Sequence, residues 1–172
     1  LIYEGKIPGL NMNDAFKYLE MAINRGSTDA MAIYASFIYT YNEQEALKYI
    51  QKAVDKGNSY AMFLLANHFF KKNGSKMNEE ILNYFKIAAD NGSIDSIKRL
   101  ATYLYLGLNV QQNKKEATKY FMIAINKGDV ESMHMYGRCL LKEPNQEEAL
   151  KYLKMAANKG IVEAMHECGL LL

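Results

Sequence analysis

One twelve-residue pattern occurs five times in this chain, and it constrains the fold more than any other feature. The copies read AFKYLEMAINRG (15–26), ALKYIQKAVDKG (46–57), ILNYFKIAADNG (81–92), ATKYFMIAINKG (117–128) and ALKYLKMAANKG (149–160). Their closing glycines are 31, 35, 36 and 32 residues apart. Self-similarity at that period is the mark of stacked repeats, each one a supersecondary unit that cannot bury its apolar face alone. In the last copy Ala149, Tyr152, Leu153, Ala156 and Ala157 fall at i, i+3, i+4, i+7 and i+8, one apolar stripe at helical period. Lys151 and Lys154 fall off it. We call this the B helix. Its alanines admit a close neighbour, and its terminal glycine suits a left-handed C-cap, where a side chain would be strained.

A second stripe follows each glycine and defines an A helix. Counted from the glycine, position four is small (Ala30, Ala61, Ser96, Ser132, Ala164) and position five is Met31, Met62, Ile97, Met133 and Met165. Position eight is Tyr34, Leu65, Leu100, Tyr136 and Cys168; position nine is small again (Ala35, Ala66, Ala101, Gly137, Gly169). Position twelve is Ile38, Phe69, Leu104, Leu140 and Leu172. The position-five methionines recur at a buried phase and are read as core. Ser27, Ser59, Ser93 and Asp129 stand where an N-cap is wanted. The A-to-B links, at 41–43, 72–76, 107–116 and 142–145, have turn compositions. The reading is therefore all-α: about ten helices, stacked as antiparallel hairpins.

In domain terms the expectation is a single array over 1–172. It comprises the end of a preceding repeat (1–26), repeats at 27–57, 58–92, 93–128 and 129–160, and the start of another (161–172). Tyr3, Glu4 and Gly5 stand before Ala15 as Tyr105, Leu106 and Gly107 stand before Ala117, so residues 1–14 read as the tail of an earlier A helix and its link. Leu170, Leu171 and Leu172 close an A helix with no B helix after it, so the chain reads as a segment of a longer array.

Composition narrows the function. Twenty-one basic and 19 acidic residues leave a net charge of +2, which gives no electrostatic footprint for nucleic acid or an anionic membrane. No run of 18 apolar residues exists to insert in a bilayer. Two cysteines, Cys139 and Cys168, are too few for a disulfide scaffold and, on different faces by position, read as packed free thiols. His134 and His166 share position six in successive A helices, but no third ligand repeats beside them, so they read as surface or groove residues; His68 is alone. No nucleophile motif or phosphate loop is present. The expectation is a non-enzyme with no cofactor and no metal. Asn73-Gly74-Ser75 and Asn91-Gly92-Ser93 fit the glycosylation pattern, Asn73 being the better acceptor in a lumenal protein.

Small residues at fixed places on the A helix, a Tyr-x-Gly link and an Ala-x-x-aromatic-aromatic-x-x-Ala-Ala-x-x-Gly B helix together resemble the Sel-one-like repeat family. LATYLYLGLNVQQNKKEATKYFMIAINKG (100–128) carries the match best. Asn109 departs from the usual glycine, Asn113 from the usual aspartate, and Tyr120 replaces the common tryptophan. The resemblance implies helix hairpins related to tetratricopeptide repeats, wound into a right-handed superhelical solenoid. It also implies an adaptor or scaffold role in protein complexes, in settings that include endoplasmic-reticulum protein degradation and cell signalling. The sequence does not fix the compartment; the cytoplasm is favoured, with the endoplasmic-reticulum lumen as the alternative.

In tetratricopeptide-type superhelices, A-helix positions three, six, ten and thirteen line the concave surface. In this chain position six runs Ala32, Phe63, Lys98, His134 and His166, while core positions keep their type. Invariant positions build a stack; varied ones can encode a target. The candidate partner-binding residues are Phe63, Asn67 and Phe70 for aromatic and amide contact, Lys98, His134 and Arg138 as donors, and Thr102 and Tyr105 beside them. Such a face would fit a peptide or helix with an apolar end and an acidic end. The expected function is a protein-interaction scaffold or adaptor, within a larger protein or complex. The alternative is a structural spacer that contacts its neighbours through its ends or convex side.

Overall fold

The computed structural model describes residues 12–144 and 146–171. Of residues 1–14, read as an earlier A helix and its link, 1–11 lie outside the described residues, as do Asn145 in a link and Leu172 at position twelve; residues 12–14 belong to α1 rather than to a link. Among those described, ten helices and no strand are found: α1 (Met12–Asn24), α2 (Thr28–Ile38), α3 (Glu43–Val54), α4 (Ser59–Lys72), α5 (Glu79–Asp90), α6 (Ile94–Leu106), α7 (Lys114–Asn126), α8 (Val130–Leu140), α9 (Glu147–Asn158) and α10 (Val162–Leu171). Odd-numbered helices are the B helices and even-numbered ones the A helices. The chain forms two compact units, one ending at Phe69 and the other beginning at Phe70, with the division inside α4.

The repeated glycine does the same work five times. Gly26, Gly57, Gly92, Gly128 and Gly160 all have φ between 80° and 99°. At each, the glycine N–H bonds the carbonyl three residues back, and the next N–H bonds the carbonyl five back, as in Gly128 to Ile125 and Asp129 to Ala124. This pair of bonds closes the B helix as a Schellman motif. The residue after the glycine then opens the next helix. Ser27, Ser93 and Asp129 accept from the N–H three residues on, at Ala30, Ser96 and Ser132. In the second repeat this acceptor is Asn58, whose Oδ1 takes the Ala61 N–H at 2.8 Å. Ser59, read from the sequence as the cap, is the first residue of α4 instead. The register from the glycine fixes the cap one residue earlier than composition suggested. At the other end of three of the four links, Asn42, Asn78 and Asn113 cap α3, α5 and α7, while α9 starts after Gln146 without a side-chain cap. Asn113 accepts from the Glu116 N–H and donates to the Glu116 carboxylate. It thereby takes the capping role for which the family's usual aspartate is suited.

In the first unit α1 packs on α2 and α2 on α3. Its core is largely methyl-lined: Ala32, Ala35, Ala46, Ala53, Ala61 and Ala66 are fully buried, with Ile50 and Met31 the larger members. In the second unit α5 packs on α6, α6 on α7, α8 on α9 and α9 on α10, and the A helices α6 and α8 also touch. Here Phe85, Phe121, Leu100 and Leu153 are fully buried. Tyr136 sits among Phe121 (centroids 5.1 Å apart), Tyr152 (4.9 Å) and Tyr105 (6.2 Å), separations at which ring pairs add to simple burial. A Cβ on Gly137 would come 2.9 Å from Leu153 Cγ and Cδ2 and 3.2 Å from its backbone nitrogen. Position nine is small there because α9 lies directly against it. Position five divides. Met31, Ile97 and Met133 are buried and Met62 is half-buried. Met165 is exposed, because α10 buries Ala164 and Cys168 rather than its fifth position.

Candidate partner-binding site

The first unit holds Phe63 and Asn67. Both are half-buried on α4, and Phe63 stacks on Tyr60 with centroids 6.2 Å apart. On the A-helix face of this unit, phenol, imidazole and amide groups make the ties. Tyr39 Oη and His68 Nδ1 share a hydrogen bond of 2.7 Å, with Glu43 at 3.7 Å from the same nitrogen. Asn58 donates to Asp29 at 2.6 Å. Ala32, at position six, is wholly buried.

The second unit holds the other six residues, and most are engaged within it. Phe70 packs edge-on to Tyr103 and Phe85, and the Arg99 guanidinium lies 5.0 Å above its ring. Tyr105 belongs to the core: 4% exposed, it sends only its hydroxyl outward, to Glu143 Oε1 at 3.2 Å. Burial first, then the Glu143 charge and bond, raise its pKa far above the ordinary tyrosine value. Position thirteen in that helix faces inward, so the expectation that its ring lines an open face is corrected.

The expected donors are matched as well. Lys98 Nζ bonds Glu131 of the next A helix and lies 3.2 Å from Asp95; its side chain is only 12% exposed. Burial pulls its pKa down, but the bonds to Glu131 and Asp95 outweigh that, and the net shift is upward. His134 Nε2 lies 2.8 Å from Glu167 Oε2, and Arg138 Nε lies 3.3 Å from Glu167 Oε1. Lys98 and His134 therefore bridge successive repeats, and the expectation that they await an acidic partner is corrected. Arg138 differs: its side chain is 64% exposed. Thr102 donates its hydroxyl to the Lys98 carbonyl at 2.8 Å, which leaves the oxygen able to accept.

An open pocket of about 220 Å³ lies on this face between α6 and α8. It is lined by Thr102, Leu106, Met135, Arg138, Cys139 and Lys142. Thr102 and Arg138, both at position ten, are the two residues shared with the sequence reading. Leu106, Met135, Cys139 and Lys142, at positions seven, eleven and fourteen, were missed. At about 100° per residue, the pocket positions seven, ten, eleven and fourteen centre roughly 70° away from three, six, ten and thirteen. The open face is turned by that much because position six is consumed by bridges to the next repeat. The signal for Lys142 and Leu106 was hidden: both stand at helix C-termini, where the composition reads only as a turn.

Burial pushes the Cys139 thiol up to about 11, against a smaller opposing pull from Lys142 and Arg138, so it is a neutral member of the pocket floor. Both cysteines are buried and free. A larger cleft, about 570 Å³, opens between α5, α6 and the 107–113 link. Its charged side chains are already engaged: Lys86 bonds Glu116 at 2.7 Å, and Glu79 accepts the Gln111 N–H. Among the described residues no group of three His, Cys, Asp or Glu could hold a metal, and no helix is long and apolar enough to cross a membrane.

The geometry of glycine-closed helix hairpins can be set beside known proteins. The Sel1 repeat model matches residues 1–27, 31–58, 82–93, 94–129 and 131–161, well over half the chain. The chain belongs to the Sel1 repeat family. Its fold is the all-α helical-repeat solenoid class seen in similar solved structures. One is a Sel1 repeat protein from Oxalobacter formigenes, with a TM-score of 0.73 and 24% identity over 92% of this chain and 69% of that one. Another is a protective antigen present in uropathogenic Escherichia coli strains displaying an SLR fold, with a TM-score of 0.74 and 19% identity; the match covers 90% of this chain and 35% of the antigen. A third is YrrB, a TPR protein with an unusual peptide-binding site, with a TM-score of 0.57 and 24% identity over 88% of this chain and 80% of that one. These identities speak to the fold alone. No curated protein matches the chain. Repeats of this kind are generally protein–protein interaction modules and typically non-enzymatic scaffolds.

Proposed function

We propose that this Sel1 repeat chain is a non-enzymatic scaffold or adaptor that takes a segment of a partner protein on the exposed face shared by α6 and α8. The observation that carries this is the open pocket at Thr102 and Arg138. Core positions of both helices are filled, and bridges hold the repeats in register. Yet two successive A helices leave a cavity with an apolar floor and polar rim. Its volume is below the about 300–1,000 Å³ of small-molecule sites, and suits one side chain of a larger partner. YrrB, a TPR protein of related fold with an unusual peptide-binding site, supports the same reading.

The test is competitive. Peptides selected against the wild-type chain from a displayed library are re-measured against Thr102→Trp, which fills the pocket. Helicity is checked by circular dichroism. Lost binding with unchanged helicity is the expected result. Binding that survives the filled pocket rejects this face and directs attention to the ends or the opposite side, as the spacer alternative would have it.

A further inference from the structure

Resting on that reading, we infer that the α6–α8 pocket recognises an internal acidic-aliphatic segment of a partner protein, an aliphatic side chain entering the pocket while a nearby Asp or Glu carboxylate meets Arg138 and Lys142. Three observations point there.

The first is local charge. Elsewhere on this face the charged side chains have partners: Lys98 has Glu131 and Asp95, and Glu143 has Lys114 at 2.8 Å. At the pocket the balance is different. Arg138 and Lys142 both line it, and the carboxylate beside them is Glu167, which touches only the Nε edge of Arg138. Among the described residues no carboxylate pairs with Lys142. The surplus is one positive charge, which complements a single carboxylate better than a dianionic phosphate. Arg138 keeps guanidinium N–H donors for a charge-assisted bond.

The second is the floor. Leu106, Met135 and Cys139 present carbon and sulfur, and the methionine can adapt to aliphatic guests of different shape. The third is Thr102. With its proton donated to the Lys98 carbonyl, its oxygen is left as an acceptor for a backbone N–H of a chain that continues past the pocket. An extended segment presents alternate side chains to one face. The pattern expected is therefore Leu, Ile or Met with Asp or Glu two residues on.

The probes are N-acetylated, C-amidated peptides carrying a central Leu-Ser-Asp, varied at the first and third places and titrated by fluorescence anisotropy. Peptides with Leu, Ile or Met followed by Asp or Glu should bind. Replacing the acid with Asn should weaken binding about tenfold, the scale of one charge-assisted contact. Lys142→Glu, at a link residue outside the core, should weaken binding at least as much with an unchanged melting curve. Equal binding of the Asn peptide, or indifference to Lys142→Glu, overturns the inference. So does tighter binding of a phosphoserine version or of an uncapped C-terminal leucine. Failure of the broader reading looks different: there, binding of display-selected peptides survives Thr102→Trp. Binding that is lost with Thr102→Trp but indifferent to Lys142→Glu keeps the interaction face and rejects the acidic-aliphatic partner.

Discussion

At position four of the A helix, the unit ending at Phe69 buries Ala30 and Ala61, and the unit beginning at Phe70 buries Ser96 and Ser132 as well as Ala164. At position nine the first has Ala35 and Ala66, while the second has Ala101 and the bare backbone of Gly137 against Leu153. Across repeats, the first unit is tied by Tyr39 to His68 and Asn58 to Asp29, the second by Lys98 to Glu131 and His134 to Glu167. One repeat pattern thus supports two chemistries. The stripes and glycine caps specify a hairpin; how each hairpin is secured to the next is left to whichever side chains meet about thirty residues apart. In the second unit carboxylates take part in those ties, and their use of Lys98 and His134 is what leaves Arg138 and Lys142 as the cations lining the pocket.

The largest test of that contrast is alkaline titration. In the second unit Tyr105, Tyr120, Tyr136 and Tyr152 have pKa values raised from 10.0, chiefly by burial. Lys86 is raised from 10.5, chiefly by its bond to Glu116, and Lys98 is raised by partners that outweigh its burial. In the first unit Tyr34 shows such a rise, again chiefly by burial. A raised folded pKa contributes stability that is complete below the ordinary value and lost as pH rises through the folded value. Stability should therefore hold to about pH 10 and fall above it, with peptides of the second unit losing hydrogen-exchange protection first. Simultaneous loss in both units would break the comparison.

Next in size is Phe121→Ala, which empties a fully buried site and should cost about 3–5 kcal/mol by urea denaturation. A loss under about 1 kcal/mol would mean that the second unit is not held by its large side chains. A reciprocal exchange at position nine comes third. Ala35→Gly removes a buried methyl and adds backbone freedom, for about 2 kcal/mol of destabilisation. Gly137→Ala should also destabilise, by about 1 kcal/mol net, because strain against Leu153 exceeds the gain in helix propensity. Stabilisation by Gly137→Ala would show that α8 and α9 can part freely. The smallest effect is at position four. The Ser96 and Ser132 hydroxyls are buried without a hydrogen-bond partner, so Ser96→Ala and Ser132→Ala should each raise stability by up to about 1 kcal/mol. Ala61→Ser should do the reverse in the first unit, and thermal melts would read all three.

Ten helices, the C-cap glycines and three of the four expected A-helix caps were legible because each rests on a window of a few residues. A stripe at i, i+3, i+4 and a glycine with φ near 80–99° need no knowledge of the rest of the chain. Asn58, not Ser59, is the cap of α4, because the register from Gly57 brings the Ala61 N–H to the Asn58 side chain. The candidate face was legible in part. Thr102 and Arg138 do line an open pocket, but Tyr105 is core, Lys98 and His134 are bridges, and Lys142 went unread. The sequence alone determined what is local and periodic: helices, their ends and the inward stripe. Only the tertiary structure decided which polar positions stay open, because that depends on the side chain the next repeat brings to each one, and spacing within a single helix carries no information about it.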